Sequence, residues 1–253
     1  MLCGMFFTFL PLARREAADG FSTAETLRFA IFATFVAMKQ MTDAEYILRL
    51  IDEGEHQQQD FKFEVSDACK IARSLSAFAN TDGGRLLVGV KDNGKIAGVR
   101  SEEETYMIEA AAQVYCSPTP ECEMRAYHVE GKTVLKVDVL PYAHRPVYAK
   151  DEQGKRWAYV RIHDENILAS PVHLDIWKQA ETDGNALLPF TERERALLQL
   201  LAGEEGVALN QFCRKARIRR SEARTLLAQF IRYGIVETVF RHHTFLFRLG
   251  EVS

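Results

Sequence analysis

The chain has 253 residues, 47% hydrophobic and 26% charged, which is long enough for one or two globular domains with ordinary cores and excludes whole-chain disorder. The formal net charge of −3 hides an asymmetry, because residues 191–253 carry 11 Lys or Arg against 7 Asp or Glu, a balance of +4. Residues 1–190 carry 21 against 28, a balance of −7. The C-terminal part is therefore the better candidate for a polyanion partner.

The first 40 residues differ from the rest. Their apolar runs, 1–12 and 29–38, are both shorter than the ~20 residues that a membrane-spanning helix needs. Thr42 and Glu45 have capping-box spacing at the start of an amphipathic run, which suits Met41 as a natural start. We expect residues 1–40 to lie outside the fold, with a secretory signal or a membrane-surface helix as the alternative.

The five cysteines have neither a C-x-x-C pair nor a His/Cys cluster at metal-ligand spacing. This pattern indicates free thiols in a reducing compartment, so we predict a cytoplasmic protein with no membrane partner.

From Met41 the hydrophobic period alternates between that of helices and that of strands. Asp92-Asn93-Gly94 predicts a tight hairpin turn with positive φ angles, and Ser117-Pro118-Thr119-Pro120 ends a helix. The predicted elements are a helix ending near Gly54, a strand at 59–65, a helix at 68–78 capped by Ser66 or Asp67, strands at 85–91 and 95–99, and a helix at 102–115.

Two further hairpins and a helix complete this part of the chain. We predict strands at 123–129, 133–140, 146–150 and 157–162, a helix at 168–179, and a linker at 183–185. Such a mixture predicts an α+β domain over residues 41–185, with a mixed or antiparallel sheet and flanking helices.

Residues 190–253 follow another plan. Thr191, with Glu194 at capping-box spacing, begins a predicted helix that ends at Leu201. Further helices are predicted at 209–216 and 221–233, and strands at 235–240 and 244–249. Three helices followed by a terminal β-hairpin predict a small winged helix-turn-helix domain.

The most specific motif is Ala77-Phe78-Ala79-Asn80-Thr81-Asp82-Gly83-Gly84, at the end of the second helix. Glu55 and Asp60-Phe61-Lys62 precede it, whereas Gly89-Val90-Lys91-Asp92 and Tyr159-Val160-Arg161 follow. From about Glu45 to Ala180 this order resembles the Schlafen-type Alba-like domain, except that the family's usual second Glu is here Asp60. The resemblance implies an α+β domain that binds DNA.

The residues of this motif also have local roles. Gly83 and Gly84 predict a helix C-cap and a turn, because glycine adopts positive φ without a Cβ clash. Asn80 and Thr81 are expected to satisfy unpaired backbone groups. Gly89 to Lys95 spells G-x-x-x-x-G-K, but Ile96 replaces the Ser or Thr of a phosphate loop and no helix follows, so we do not expect ATP binding there.

Three acids form an enzymatic hypothesis. Some Schlafen proteins are RNA endonucleases, and the resemblance places their acidic residues at Glu55, Asp60 and Asp92. Carboxylates of this kind hold Mg²⁺ or Mn²⁺, which would activate water, while Lys62 would contact the scissile phosphate. The alternative is that Asp60 is too short and that Asp92 only serves the hairpin turn.

Basic residues indicate a nucleic-acid partner. Residues 214–224 contain six basic residues and one acid, across the turn and the start of the third predicted helix, which enters the major groove in winged helices. On strand 157–162, Trp157, Tyr159 and Arg161 share one face, which is either a stacking surface or an ordinary sheet face. The candidate contacts are Lys62, Arg161, Arg217, Arg219, Arg220, Arg224 and Arg241.

The favoured hypothesis is a DNA-binding, transcription-regulator-like protein, with RNA as the alternative nucleic acid. A metal-dependent endoribonuclease using Mg or Mn is the second hypothesis. The third is a non-enzymatic scaffold that dimerises through the winged helix, and a homodimer also suits the first.

Overall fold

The structure, a computed structural model, describes residues 41–182, 191–203 and 205–250. The predicted extension 1–40 and linker 183–185 lie outside the described residues. The described helices are α1 (Asp43–Asp52), α2 (Ala68–Ala79), α3 (Glu103–Ala110), α4 (Pro171–Thr182), α5 (Glu192–Gln199), α6 (Leu209–Ala216) and α7 (Arg220–Arg232). The described strands are β1 (Gln59–Lys62), β2 (Gly84–Val88), β3 (Cys116–Ser117), β4 (Cys122–Val129), β5 (Lys132–Val139), β6 (Tyr148–Lys150), β7 (Arg156–Ile162), β8 (Glu165–Leu168), β9 (Val207–Ala208), β10 (Val236–Arg241) and β11 (Thr244–Leu249).

The first sheet is mixed and has the strand order β1-β2-β5-β4. Strands β1 and β2 are parallel, because α2 connects them, and the other pairs are antiparallel. Glu130 and Gly131, both at positive φ, form the tight turn between β4 and β5. The predicted α+β class with a mixed sheet is confirmed.

The second sheet is antiparallel, with the order β3-β6-β7-β8. Helix α2 packs against both sheets, since its buried Leu75 and Phe78 share one core with Leu86 of the first sheet and Ala149 of the second. Asp67 caps the start of α2 by accepting hydrogen bonds from the backbone N–H groups of Cys69 and Lys70.

The polar end of α2 bonds to the backbone of the second sheet. Asn80 Nδ2 donates to the carbonyl oxygens of Val147 and Tyr159, both at 2.9 Å, and its Oδ1 accepts from the Val147 N–H at 2.7 Å. Ser76 Oγ donates to the Val147 carbonyl at 2.8 Å and accepts from the Tyr159 N–H at 3.1 Å. The Arg161 N–H donates to Thr81 Oγ1 at 2.9 Å. The prediction that Asn80 and Thr81 satisfy backbone groups is confirmed.

The segment after β2 differs from its prediction. Strand β2 ends at Val88, because the Lys62 carbonyl accepts hydrogen bonds from the N–H groups of Gly89 and Val90 and draws the chain out of register. The predicted strand 95–99 is wrong, since only an isolated bridge from Ile96 to Val90 forms there. The turn has three residues, with only Gly94 at positive φ and its N–H bonded to the Lys91 carbonyl at 2.8 Å.

Two predicted helices also have different limits. The helix predicted at 102–115 is α3 followed by a π-helical turn, Ala111–Tyr115. The helix predicted at 168–179 begins only at Pro171, because proline suits the first helical position and Leu168 belongs to β8. Ser170 and His173 bond reciprocally at this helix start, in the manner of a capping box.

The C-terminal segment, residues 191–250, contains α5, α6 and α7 followed by the hairpin β10–β11, with β9 paired to β11. The predicted capping box of Thr191 and Glu194 begins α5. Phe212, Leu227 and Phe247 form its core, which Val172 of α4 joins. Among the described residues no helix has both the length and the apolarity to cross a membrane. The division of the chain into two domains stays a prediction.

We expect Asn80→Ala to lower the free energy of unfolding by about 2–3 kcal/mol, because it leaves buried backbone groups of Val147 and Tyr159 unpaired. Urea unfolding of the full chain measures this. Gln153→Ala, at an exposed turn position, is the control and should change stability by less than about 0.5 kcal/mol. Equal stability of the two variants would contradict the role assigned to Asn80.

Candidate functional site

Two of the three predicted acids meet next to β1. Glu55 precedes the strand, and its Oε1 accepts a hydrogen bond from the Phe61 N–H at 2.8 Å. Asp60 lies within the strand with only 4% of its surface exposed. Burial, and next a hydrogen bond with Asp60, raise the pKa of the Glu55 carboxyl above its ordinary value. Burial beside a second acid therefore favours the protonated form of Glu55.

Asp60 is compensated by two cations. Lys62 Nζ lies 2.8 Å from Asp60 Oδ2, and the Arg161 guanidinium lies 3.7 Å from Oδ1. Ser74 Oγ adds a hydrogen bond at 3.4 Å. A buried carboxylate requires such partners, because an unpaired charge in the interior is strongly destabilising. Lys62 is thus engaged with the protein's own carboxylate at the place where a phosphate contact was predicted.

Arg161 belongs to the interior and not to a binding surface. It is 2% exposed, its guanidinium donates to the Gln59 carbonyl at 3.1 Å and to Asn166 Oδ1 at 3.0 Å, and it lies 5.1 Å from the centre of the Phe78 ring. The face of β7 that carries Arg161 and Tyr159 turns towards α2. The predicted contact of Arg161 with nucleic acid stays a prediction that this burial does not favour, and the ordinary sheet face is the better interpretation.

Asp92 stays apart from the other two acids. It is exposed in the three-residue turn Asp92-Asn93-Gly94, which follows Lys91. Within residues 41–182, 191–203 and 205–250, no group of three or more His, Cys, Asp or Glu side chains is placed to hold a metal ion. The predicted set Glu55, Asp60 and Asp92 does not fit a shared Mg²⁺ or Mn²⁺.

The C-terminal segment presents a cluster of cations at the turn between α6 and α7. Arg217 ends α6 in the left-handed conformation, with φ of 56°, and Arg219 is the N-cap of α7. Both are exposed, as is Arg220, which begins α7 and hydrogen-bonds to Asn210. Arg241 is exposed at the end of β10. The structure thus leaves four of the five predicted C-terminal cations accessible.

Arg224, the fifth, is occupied by an internal contact. Its Nε and one terminal nitrogen bond to the two carboxylate oxygens of Asp175 on α4, both at 2.8 Å. This bidentate pair ties α7 to α4 and occupies two nitrogens of the guanidinium, so the predicted DNA contact of Arg224 stays a prediction that the pair does not favour. Sequence spacing could not distinguish Arg224 from its neighbours, because Asp175 lies 49 residues away.

Comparison with known proteins assigns the first part of the chain. Residues 55–170 match the family model described as Schlafen, AlbA_2. We call this stretch the AlbA_2 domain, after the family to which it is similar. The similarity suggests nucleic-acid binding in general and decides neither the type of nucleic acid nor an activity.

Two solved structures are similar to the chain. One is the DIP2311 protein from Corynebacterium diphtheriae, 20% identical, with 57% of this chain and 35% of that chain covered and a TM-score of 0.39. The other is the N-terminal domain of a protein from Nitrosomonas europaea described as related to the ATP-dependent DNA helicase RecG, 26% identical, with 47% of this chain and 87% of that chain covered and a TM-score of 0.34. The chain thus spans about a third of DIP2311. No curated protein matches it.

The AlbA_2 domain also uses residues that the sequence motifs did not single out. Ser74 bridges Asp60 and Asn166, while Gln57 donates to the Arg161 carbonyl at 2.7 Å and accepts from the His163 N–H at 2.8 Å. A buried glutamate, Glu104, accepts from the backbone N–H groups of Val65 and Arg100. Only the fold brings these groups together, although a serine on the apolar face of α2 was a weak signal.

We expect Glu55→Gln to flatten the pH dependence of stability. A raised pKa in the folded state means that Glu55 stabilises the fold while protonated, and that this contribution is lost as pH rises through the folded pKa. Gln keeps an acceptor for the Phe61 N–H without acquiring a charge. Urea unfolding between about pH 4 and pH 7 should show stability falling more for the parent than for Glu55→Gln. Parallel curves would contradict the raised pKa.

Proposed function

We propose that the protein binds duplex DNA through its C-terminal segment, folded as a winged helix, and acts as a transcription-regulator-like protein. The observation that carries the proposal is the exposed cluster of Arg217, Arg219 and Arg220 at the turn into α7. The AlbA_2 domain supports the wider statement that the protein binds nucleic acid.

The order of elements supports a winged helix. Helix α5, the short strand β9, helices α6 and α7 and the hairpin β10–β11 follow one another, and β9 pairs with β11 of the hairpin. In such a domain the second helix of the helix-turn-helix places its first residues against base edges in the major groove. That position corresponds to the first turn of α7, where Arg219 and Arg220 lie.

Electrostatics at the start of α7 favour an anion. The partial positive charge of a helix N-terminus adds to the guanidinium groups there, and the N-cap Arg219 makes no side-chain capping bond. Glu222, the acid of the first turn, is paired with Arg193 of α5. A DNA phosphate would therefore meet the positively charged N-terminus of α7, where the acid of the first turn, Glu222, is already paired with a cation.

The hairpin reaches the same region. Arg220 and Asn210 line a surface cavity together with His243 of the β10–β11 turn and Thr244 of β11. Arg241 precedes this turn and is exposed. Helix α7 and the hairpin could then contact one duplex, with base edges met by α7 and backbone met by the hairpin.

Duplex DNA is a better partner than duplex RNA for this surface. The major groove of B-form DNA admits an α-helix, whereas that of A-form RNA is too narrow for one. The endoribonuclease hypothesis has less support, because Asp60 is paired with Lys62 and Asp92 lies apart from Glu55. A dimerising scaffold is the remaining alternative, and it predicts no binding to DNA.

We expect Arg219→Ala and Arg220→Ala each to weaken binding of the full chain to a duplex DNA pool by about 5- to 100-fold. Each lost phosphate contact should also lower the slope of log affinity against log salt by about one unit. Fluorescence anisotropy over a salt series measures both quantities. Arg195→Ala, which removes an exposed cation of α5 that is paired with Glu192, is the matched control and should bind like the parent.

An absence of salt-sensitive binding to any duplex, with the parent protein folded, would refute the proposal. If gel filtration of that same protein then showed a dimer that Arg219→Ala dissociates, the scaffold alternative would hold instead.

We expect Arg224→Ala to behave differently from its neighbours. It should lower stability by about 1 kcal/mol through loss of the bidentate Asp175 pair and should leave DNA affinity near that of the parent. A double-mutant cycle with Asp175→Ala, read by urea unfolding, should show non-additive effects. Loss of DNA affinity equal to that of Arg219→Ala would place Arg224 in the DNA interface after all.

A further inference from the structure

An aromatic ring flanked by two cations lies on the surface of the AlbA_2 domain. Phe63 directly follows β1 and keeps 37% of its surface exposed, although it is large and apolar. Lys91 Nζ lies 5.0 Å from the centre of the ring, and the guanidinium carbon of Arg100 lies 5.3 Å from it. We refer to Phe63, Lys91 and Arg100 as the aromatic platform.

Backbone bonds hold Lys91 in place. The Lys62 carbonyl, adjacent to Phe63, accepts from the Gly89 N–H at 2.8 Å and from the Val90 N–H at 3.3 Å. Gly89 has a φ of +89°, and a Cβ at this position would lie 2.9 Å from the backbone of Gly98. Only glycine allows this close approach, and Lys91, two residues further on, then lies next to the ring.

A buried carboxylate holds Arg100 in place. Glu104 is 6% exposed and accepts from the Val65 N–H at 3.2 Å and from the Arg100 N–H at 2.9 Å. Glu104 therefore links Val65, two residues after Phe63, to Arg100, which supplies the second cation. The Arg100 side chain is also paired with Glu64 at 3.1 Å, while most of it remains exposed. Hydrogen bonds to main-chain N–H groups thus hold the backbone near both cationic residues close to that of Phe63.

Phe63 is not needed by the core. Phe61, two positions earlier, is buried, but the chain has left the strand at Phe63 and its ring faces outwards. Two cations could lie near a ring without the close backbone approach at Gly89 or the hydrogen bonds accepted by Glu104. Here each of these two features positions a cationic residue next to the same exposed ring. This convergence indicates a surface arranged for a ligand that has a flat apolar face and negative charge.

We propose that the aromatic platform binds single-stranded nucleic acid, with Phe63 stacking on an unpaired base and Lys91 and Arg100 contacting the flanking phosphates. Unpaired bases offer a free π-face, which bases inside a duplex do not. An arginine plane beside the ring extends the stacking surface. This surface is distinct from the α7 cluster, so the inference does not rest on the proposed duplex binding.

The test uses the full chain with fluorescent single-stranded oligo-dT and oligo-U and, separately, with duplex DNA. Phe63→Ala should weaken single-strand binding about tenfold or more, because one stacked base is lost. Phe63→Trp should bind at least as well as the parent, whereas Phe63→Leu, which keeps the apolar volume, should bind like Phe63→Ala. Tyr106→Ala, which removes another exposed aromatic ring, is the matched control and should have no effect.

The ion pair with Glu64 supplies a variant expected to gain affinity. Glu64→Gln frees Arg100, so single-strand affinity should rise about two- to fivefold and become more sensitive to salt. Arg100→Ala should cancel this gain.

Duplex binding separates this inference from the proposed function. Phe63 variants should leave duplex affinity unchanged, and Arg219→Ala with Arg220→Ala should leave single-strand affinity unchanged. Equal single-strand affinity of Phe63→Leu, Phe63→Trp and the parent would overturn the stacking role. So would an equal loss of duplex and single-strand affinity in Phe63→Leu. Failure of duplex binding alone would count only against the α7 proposal.

Discussion

The fold of the AlbA_2 domain depends on the hydrogen bonds that the end of α2 makes with the second sheet. Ser76, Asn80 and Thr81 supply side-chain donors and acceptors to the backbone of Val147, Tyr159 and Arg161. A helix and a sheet usually meet through apolar side chains alone, which allow some sliding. Directional bonds between buried groups remove that freedom, because any shift would leave a polar group unpaired in the interior. The register between α2 and β7 is fixed in this way.

The same register places the charged interior. Arg161, held at its N–H by Thr81, extends its guanidinium towards Asp60 on β1, so that the two sheets meet at a buried charge as well as at the apolar core. Glu55 and Lys62 complete this cluster. The carboxylates of this cluster are therefore compensated inside the protein, and they are not available to a ligand in the way that exposed acids would be.

The proposed assignment of duplex binding to one surface and single-strand binding to another follows from the accessibility of the cations. Residues of one chemical type have opposite roles in this chain: Arg161 and Arg224 neutralise Asp60 and Asp175, whereas Arg219 and Arg220 face solvent. The start of α7 suits a duplex, since a helix can enter a groove. The platform at Phe63 suits an unpaired base, since it offers an exposed ring with two cations nearby.

The sequence by itself determined the local structure: the α+β class, the capping box of Thr191 and Glu194, the helix end at Asn80 and the family of residues 55–170. These features depend on neighbours within a few positions, which period, capping and turn chemistry describe. Only the tertiary structure decided which charged groups are free. Asp60 meets Arg161 about a hundred residues away, Arg224 meets Asp175, and Lys91 reaches Phe63 because the chain crosses at Gly89. Such pairings arise from the register between elements, and sequence spacing carries no information about that register.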